Sequence, residues 1–442
     1  MLKELLPVSS RSYHASTDLL LSMVKDMVER LERIEQEEMA QGDRLARLEG
    51  KASSFPAAYL IGEPGYPNYG DELIAREWLR YLARTHPDLP VYLDCARPGP
   101  AAAILRHEHP RLLLVDTVAR LTFELQADEL GAGEVEDNGK RRPSRAEQLG
   151  LSVTAALCDE GRAARYAEGI HILRSEMRGL HYLGGGYMTG AWQENLARLS
   201  VGPWAHDRGG VVIGTGLGFS PLDASSAEFA LSCSRSFDSM SVRDESTLKL
   251  LSDNERVFLA PDDCFVNGLE GCYSSEDILP SVMVCIQGDL VEDVSALHSH
   301  VVEILKAWSV SKSETVGVVE CNPYVDYPII ERLRMEGYSC RLFPTVYLLS
   351  EGFPARPGQR WITTRYHPHL LAAACGCKGI FIPLGSEYYW HKHAAVLRMG
   401  SRWPASPIGQ DIPDAGEGFE DPEIKFEYQQ TVRESAMALY GE

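Results

Sequence analysis

The sequence has no hydrophobic run long enough to cross a membrane. Its longest stretch without Lys, Arg, Asp or Glu covers residues 179–193, fifteen residues rich in glycine, whereas a bilayer-spanning helix needs about 20 apolar residues. Residues 1–14 also lack an apolar segment ahead of a small-residue cleavage site, so no secretory signal is predicted. We therefore expect a cytoplasmic protein, and peripheral attachment at the inner face of the cell membrane is compatible with that expectation.

Positive charge is scarce. The chain has 43 Lys and Arg residues against 63 Asp and Glu residues, which gives a formal net charge of -20. This sign disfavours binding of nucleic acid over the whole surface, because phosphate backbones attract basic proteins. No nucleic-acid partner is predicted, although a local basic pocket is compatible with the composition.

The sequence also lacks a recognisable metal motif. Its ten cysteines are scattered, and the tight pair Cys375 and Cys377 has no second pair at the spacing of a zinc site. His391 and His393 alternate along the chain without a third ligand nearby. Reduced and mostly buried thiols are expected, and neither a metal nor another cofactor is predicted.

The chain has enough apolar residues for more than one core. Of its 442 residues, 44% are hydrophobic and 24% are charged, as in an ordinary globular protein. Because domains usually contain about 100–200 residues, the length predicts two or three of them.

Residues 1–52 are predicted to form an N-terminal helix with a coiled-coil seam. Apolar residues recur by steps of three and four across residues 20–48, and Glu38 and Gln41 are polar residues within this seam. The heptad pattern favours supercoiling with a second helix, and hence a homo-oligomer held through residues 20–48. A single helix folded back on the rest of the chain is the alternative. A linker is predicted at residues 50–56.

From residue 57 onward, short apolar runs alternate with helical stretches. This alternation is typical of parallel sheets buried on both faces, and it predicts an α/β fold with two Rossmann-like domains, at residues 53–275 and 276–420, followed by a helix within 421–442. Ligands of such sheets bind at the carboxyl ends of the strands. Strands are predicted at 57–61, 91–94, 111–116, 181–183, 211–214, 240–243 and 257–260, and then at 281–287, 315–321, 339–343, 361–364 and 379–383.

Two glycine-containing loops follow strands of the first domain. One contains Asn68 and Asp71 ahead of a predicted helix, where glycine lets the backbone approach a ligand and the helix start favours an anion. Asn68 or Asp71 could equally cap that helix. The other loop contains Gly184, Gly185 and Gly186, which suit either a backbone passing under a substrate or a bare tight turn.

Basic residues follow later strands. Arg243 can bind a carboxylate or a phosphate, or it can form an ordinary salt bridge. Arg365 and His367 lie two positions apart on a segment predicted to be extended, where both side chains would point to one side. Lys392 follows one βα unit later. Together these residues favour a small, multiply anionic substrate, and His367 could also transfer a proton near neutral pH.

Several short segments, taken in their order along the chain, resemble those of the polysaccharide pyruvyl transferase family over roughly residues 59–399. This resemblance implies a glycosyltransferase-B-like arrangement, with the acceptor bound by the first domain, the donor bound by the second, and the last helix crossing back onto the first. It also implies phosphoenolpyruvate as donor and a sugar of a cell-surface polysaccharide, or of its lipid-linked precursor, as acceptor. The segments that carry it are Asn68-Tyr-Gly-Asp71-Glu, Gly184-Gly-Gly186, Gly216-Leu-Gly218, Ser241-Val-Arg-Asp244, Asp262, and Arg365-Tyr-His367 with Lys392.

By motif, Arg243, Arg365 and His367 match the donor-binding and catalytic positions of the family, and Lys392 matches the basic residue that follows. Arginine and lysine can hold the carboxylate and phosphate of the donor. His367 is the expected proton donor and Asp71 a lesser candidate for deprotonating the acceptor. Asn68 and the three glycines are expected to line the substrate site. The product would be a cyclic pyruvate ketal, with release of phosphate.

Two other functions remain open on the sequence. A nucleotide-sugar glycosyltransferase of the same architecture would also need Arg and Lys near a diphosphate. A non-catalytic assembly protein would use the coiled coil and keep the α/β body as a remnant. The basic set of Arg365, His367 and Lys392 favours an enzyme over this last alternative.

Deletion of residues 1–51 tests the predicted oligomer. The deleted chain should be monomeric by light scattering while the full-length chain is oligomeric, because the apolar seam at residues 20–48 would otherwise face water. Activity towards a soluble acceptor should survive, since the site residues all follow residue 59. An oligomer that persists after the deletion would show that another surface holds the subunits together.

Overall fold

The computed structural model describes residues 57–129, 143–159, 166–289, 291–384, 387–421 and 423–441. The N-terminal helix predicted for residues 1–52 lies outside the described residues, so its coiled coil and the oligomer stay predictions. The described chain forms two α/β units, each built on a parallel sheet, which confirms the predicted α/β class.

The first unit contains a seven-stranded parallel sheet with the order β3-β2-β1-β4-β5-β6-β7. Alternate residues of β1 enter two different cores: Ala58 and Leu60 pack on one face, and Tyr59 and Ile61 on the other. Burial on both faces explains why these strands are apolar throughout. Their bounds are β1 Ala57–Ile61, β2 Val91–Asp94, β3 Leu112–Val115, β4 Met177–Tyr182, β5 Val211–Leu217, β6 Ser239–Val242 and β7 Val257–Leu259.

Helices cover both faces of this sheet. Several of them begin at a side-chain cap. Asp244, for example, accepts the N–H of Thr247, which satisfies a backbone donor left unpaired at a helix start. The helices are α1 Tyr69–Thr85, α2 Pro98–Leu105, α3 Thr117–Glu129, α4 Arg145–Cys158, α5 Ala167–His171, α6 Gln193–Ala197, α7 Val201–Asp207, α8 Ala224–Ser234 and α9 Glu245–Leu250, with a π-helical turn at Ile172–Glu176 and 3₁₀ turns at Arg198–Ser200, Asp263–Asn267 and Glu270–Cys272.

The second unit contains a five-stranded parallel sheet with the order β10-β9-β8-β11-β12. It packs against the first unit through α1, where the ring of Tyr69 stacks on Phe353 at 5.8 Å between centroids. Its strands are β8 Val282–Cys285, β9 Thr315–Val319, β10 Ser339–Phe343, β11 Arg360–Thr363 and β12 Lys378–Phe381, and its helices are α10 Val294–Ala307, α11 Ile329–Met335, α12 Thr345–Ser350, α13 Tyr366–Ala374 and α14 Glu387–Arg398.

Every strand predicted from the sequence is present. The bounds of β1, β2 and β10 agree with the prediction, whereas β4 begins at Met177 and β5 continues to Leu217. These two strands contain Gly179, Gly214 and Gly216, residues that usually weaken a strand, and the short apolar run alone therefore underestimated their length. The predicted division at residue 275 falls between β7 and β8, and the domain limits themselves stay predictions.

The last two helices, α15 Ile424–Ser435 and α16 Met437–Tyr440, lie against the first unit. Leu439 is 2% exposed and packs against Gly179 of β4 so closely that a Cβ on Gly179 would overlap its side chain. Tyr440 hydrogen-bonds His181 of the same strand through its hydroxyl at 3.0 Å. The chain thus returns to the first sheet after completing the second.

We expect Leu439→Ala to lower the free energy of unfolding by about 2–5 kcal/mol, because it removes a fully packed side chain and leaves a cavity beside β4. Met437 lies on the same helix but is 40% exposed, and Met437→Ala should change the unfolding free energy by only about 0.5 kcal/mol. Urea denaturation of both variants measures the difference. Equal losses would show that the last helix does not pack on the first sheet.

Candidate active site

The carboxyl ends of the two parallel sheets face each other across a cleft. Backbone and side-chain contacts join the walls of this cleft. The N–H of Tyr69, at the start of α1, donates to the carbonyl oxygen of Cys321, just after β9, at 2.8 Å. Arg398 of α14 donates through Nη2 to the carbonyl oxygen of Arg243, just after β6, also at 2.8 Å. The site therefore draws residues from both units.

Gly70 and His367 meet at this junction. A Cβ at Gly70 would overlap Nδ1 of His367, so the absence of a side chain at Gly70 lets the imidazole lie against the start of α1. The sequence predicted an extended segment at His367, but β11 ends at Thr363 and α13 begins at Tyr366. The prediction of an extended segment is therefore wrong, and the alternation of a strand no longer supports placing Arg365 and His367 on one side.

Asp262 connects the cations of the two units. Its Oδ2 accepts a hydrogen bond from Nη1 of Arg243 at 2.9 Å, and its Oδ1 accepts one from the N–H of Cys264 at 3.0 Å. The same Oδ1 lies 3.5 Å from Nε2 of His367. Burial alone would raise the pKa of Asp262, but His367, Arg243 and the amide of Cys264 outweigh burial and hold that pKa well below its usual range.

The sequence analysis gave Asp262 a place in the family resemblance but no role in the site. One signal was available, since two consecutive aspartates, Asp262 and Asp263, follow β7 at its carboxyl end. Polar residues at that edge of a parallel sheet are candidates for ligand binding. The sequence could not show which cation each aspartate would meet.

Arg243 is buried at 5% exposure. Its guanidinium lies over the ring of Tyr366 at 4.5 Å from the centroid, a cation–π contact that adds to the ion pair with Asp262. A Cβ at Gly218 would lie 3.3 Å from Nε of Arg243, so glycine at 218 leaves that side chain room. Arg243 thus forms a buried salt bridge, the alternative given from the sequence, and its binding of a ligand anion stays a prediction.

A narrow cavity of about 10 Å³ lies beside Arg243, room for roughly one water molecule. Residues of the first unit form one wall and residues of the second unit the other. A larger ligand can enter only if the two walls separate. The lining residues are Gly186, Gly218, Ser220, Arg243 and Asp244 on one side, and Tyr366, His391, Lys392 and Ala395 on the other.

Lys392 lies in this cavity close to Arg243. Burial and, next, the positive charge of Arg243 together lower the pKa of Lys392 to about 7, while Asp71 acts in the opposite direction. Two cations close together in a poorly hydrated place repel each other. An anion between them would relieve this repulsion, so the geometry favours an anionic ligand.

Asp71 lies at the first turn of α1. Nδ2 of Asn68 donates to its Oδ2 at 2.7 Å, and Asn68 makes no side-chain cap to the helix, so the capping interpretation of Asn68 is wrong. Burial raises the pKa of Asp71 to about 6, although His367 and Arg243 act to lower it. At neutral pH this carboxylate is mostly ionised and can accept a proton.

The three consecutive glycines all lie at the cleft. The N–H of Gly184 donates to Oδ2 of Asp263 at 2.8 Å. Gly185 has a φ of 142°, and a Cβ at this residue would lie 3.3 Å from Oδ1 of Asp71. Gly186 therefore borders the cavity, while substrate binding by the three glycines stays a prediction.

Asp263 holds the glycine segments in place, a role the sequence analysis missed. Its Oδ2 also accepts from Oγ1 of Thr215 at 2.6 Å and from Nε1 of Trp78 at 2.7 Å. Gly216 next to it has a φ of 53°, where a side chain would be strained and would meet Asp263. Burial and, to a smaller extent, the charge of Asp262 raise the pKa of Asp263 to about 7.

Arg365 is paired within its own unit. Its Nε and Nη2 bond both oxygens of Asp326 at 2.6–2.8 Å, and Oδ2 of Asp326 also accepts from the N–H groups of Cys321 and Asn322. Arg365 does not line the cavity. Binding of the donor substrate by Arg365 stays a prediction. Two of the nitrogens of its guanidinium already bond a carboxylate.

Within the described residues, Cys285, Cys321 and Asp326 are the group of metal-type side chains close enough to share an ion. The oxygens of Asp326 are occupied by Arg365 and two backbone donors, and burial raises the pKa of Cys285 well above its usual range. A protonated thiol and a saturated carboxylate are poor metal ligands. His393 hydrogen-bonds His369 at 2.9 Å, so it is also engaged.

The fold and the site define a two-unit α/β protein with a cationic cleft between parallel sheets. The chain belongs to the polysaccharide pyruvyl transferase family, since the model of that family matches residues 68–316. It is therefore a transferase. The match includes Asn68, Asp71 and Arg243 but ends before Arg365, His367 and Lys392, so the sequence resemblance to residue 399 reaches further than the family match does.

A comparison with curated protein sequences found no significant match. Among solved structures, the chain is similar to a putative UDP-N-acetylglucosamine 2-epimerase from Listeria monocytogenes, with a TM-score of 0.45, 9% identity, and coverage of 88% of this chain and 90% of that one. For a UDP-GlcNAc 2-epimerase from Neisseria meningitidis the TM-score is 0.45 and the identity 10%, with coverage of 87% of this chain and 93% of that one. For a ugt transferase from Siraitia grosvenorii the TM-score is 0.42 and the identity 11%, with coverage of 86% of this chain and 94% of that one. Likenesses this weak carry no argument about activity.

No membrane-spanning helix was found in the described ranges, where none combines the necessary length and hydropathy.

Lys392→Met should weaken the binding of sulfate, a probe whose own charge is constant between pH 6 and 8. Wild-type affinity should fall as pH rises through about 7, because the pKa of Lys392 is about 7 and the ammonium loses its charge above it. The variant should bind about tenfold more weakly at pH 6 and show a flatter pH dependence. Calorimetric titration at several pH values measures both.

The matched control is Lys378→Met, which removes an exposed lysine paired with Glu417. Its sulfate affinity should equal that of the wild type at every pH. If Lys392→Met and Lys378→Met bind sulfate alike, Lys392 is not part of an anion site.

Proposed function

We propose that this transferase moves a pyruvyl group from phosphoenolpyruvate to two hydroxyls of one sugar, in a cell-surface polysaccharide or its lipid-linked precursor. The product is a cyclic pyruvate ketal, and phosphate is released. The observation that carries the proposal is the grouping of Arg243, Lys392 and His367 around one cleft in a chain of the polysaccharide pyruvyl transferase family.

The donor carries a carboxylate and a phosphate ester on the same enol carbon, and the cleft offers matching cations. Arg243 and Lys392 line the cavity, and the charge of Arg365 is close enough to lower the pKa of Lys392. A bound trianion would stabilise the protonated form of Lys392, so donor binding and protonation of Lys392 favour each other. Charge-assisted bonds from Arg243 would fix the orientation of the enol carbon.

His367 is the proposed proton donor to the methylene carbon of phosphoenolpyruvate. Asp262 lies 3.5 Å from its Nε2, so the imidazolium that holds the proton has a carboxylate partner. Proton transfer makes the central carbon electrophilic, and the first sugar hydroxyl adds to it. Phosphate then leaves with its oxygen, and the second hydroxyl closes the ketal ring.

The protons balance over these reaction steps. The two sugar hydroxyls lose one proton each; one replaces the proton that His367 gave to the methyl carbon, and the other leaves with phosphate. Asp71 is the proposed acceptor of a hydroxyl proton. Its pKa of about 6 suits this part, because a base works best when its pKa lies just below the working pH.

The oligomer through residues 20–48 and a position at the inner face of the membrane belong to the same proposal. A lipid-linked acceptor is presented many times on one surface. An oligomer that engages several acceptors at once gains avidity without any new contact in each site.

The test is to incubate the purified full-length protein with phosphoenolpyruvate and a panel of sugars, and to measure phosphate release and ketal formation. We expect release that depends on a sugar. His367→Ala should lower turnover by about a hundredfold or more while donor binding is largely kept, because the proton is transferred in the transition state. His206→Ala, which removes an exposed histidine, is the control and should match the wild type.

Each alternative has its own result. Sugar transfer from a nucleotide sugar, with no reaction of phosphoenolpyruvate, would indicate a glycosyltransferase. Absence of both reactions, together with an oligomer that depends on residues 1–51, would indicate an assembly protein. Normal turnover in His367→Ala would remove His367 from the mechanism.

A further inference from the structure

The exposed Tyr and Trp side chains have a common location. Where the structure describes side chains, no other Tyr or Trp is as exposed as Tyr66 at 49%, Trp192 at 44%, Tyr324 at 92% and Trp390 at 45%. Each follows the carboxyl end of a parallel strand: β1, β4, β9 and β12, respectively. The exposed phenylalanines Phe123, Phe258 and Phe426 lie instead on α3, β7 and α15.

Two of these aromatics lie near the contact that joins the units. Tyr66 is three residues before Tyr69, and Tyr324 is three residues after Cys321, and the Tyr69 N–H donates to the Cys321 carbonyl. Three residues span at most about 11 Å. Both aromatics are therefore held close to one mouth of the cleft, one from each unit.

Tyr324 combines exposure with an unusual backbone. Its φ is 68°, in the left-handed region that bulky residues rarely adopt, and its N–H is held by Oε1 of Glu320 at 3.1 Å. Glycine or asparagine would occupy this position at a lower conformational cost. Strained backbone that presents a ligand-binding side chain is common at functional sites.

The other two aromatics adjoin the cavity. Trp390 directly precedes His391 and Lys392, which line it. Trp192 lies two residues after Gly190, whose N–H donates to the carbonyl oxygen of Pro221 at 2.9 Å, next to the cavity-lining Ser220. Aromatic side chains from both units thus follow strand ends that border the cleft.

We propose that Tyr66, Trp192, Tyr324 and Trp390 form an aromatic rim that binds sugar rings of the acceptor on either side of the sugar that reacts. This inference rests on the proposed function and extends it to an oligomeric or polymeric acceptor. The C–H face of a pyranose packs well on an aromatic ring, and the Tyr hydroxyl and Trp N–H can bond sugar hydroxyls. The cations deeper in the cleft remain for the donor.

The experiment measures, by calorimetry, the binding of two kinds of probe to the full-length protein. The probes are the methyl β-glycosides of glucose, galactose and mannose, and the matching β-1,4-linked trisaccharides. We expect at least one trisaccharide to bind more tightly than its monosaccharide. Tyr324→Ala and Trp390→Ala should each weaken trisaccharide binding about threefold to tenfold and leave monosaccharide binding nearly unchanged.

Phe426→Ala is the matched control, because Phe426 is 61% exposed but lies on α15, away from the strand ends. It should bind every probe as the wild type does. The rim is overturned if Tyr324→Ala and Trp390→Ala bind the trisaccharides as Phe426→Ala does, or if the wild type binds no trisaccharide.

Binding of phosphoenolpyruvate, titrated into the same proteins, separates this result from failure of the proposed function. We expect the rim variants to bind phosphoenolpyruvate as the wild type does. A wild type that binds phosphoenolpyruvate but shows no advantage for a trisaccharide overturns the rim alone. A wild type that binds trisaccharides through the rim but not phosphoenolpyruvate overturns the proposed donor.

Discussion

The arrangement of charged side chains in the cleft depends on the carboxylate of Asp262. It is fully buried and bonds Arg243 of its own unit while it lies 3.5 Å from His367 of the other unit. Without it, the guanidinium of Arg243 would be a buried charge without a carboxylate partner, which is strongly destabilising. One anion thus compensates the buried charge of Arg243 and lies beside the imidazole at the junction of the two units.

Close approach of the two units is the second constraint, and glycine makes it possible. Gly70 of the first unit admits the ring of His367 of the second, while Gly216 and Gly184 admit the carboxylate of Asp263 within the first unit. The consequence is a cavity of about 10 Å³, too small for an organic substrate. A ligand larger than a water molecule fits this cavity only if its two walls separate.

The parallel sheets follow from the sequence for a local reason. Runs such as Ala57–Ile61 and Val282–Cys285 are apolar at successive positions, and a strand can bury such a run only in a sheet covered on both faces. The position of Asp71, Arg243 and Lys392 at the cleft was predictable in the same way, because each follows the end of a strand or begins the next helix. The lengths of β4 and β5 were not, since glycine within a strand hides its periodicity.

Side-chain pairing was decided only by the tertiary structure. Arg365 bonds Asp326, thirty-nine residues away, and Asn68 bonds Asp71 instead of capping a helix. Asp262 meets His367 across two units. The sequence by itself determined which segments form buried strands and their order along the chain, because burial depends on each residue's own polarity. Which charges meet depends on how distant loops pack, and that information is absent from any local pattern.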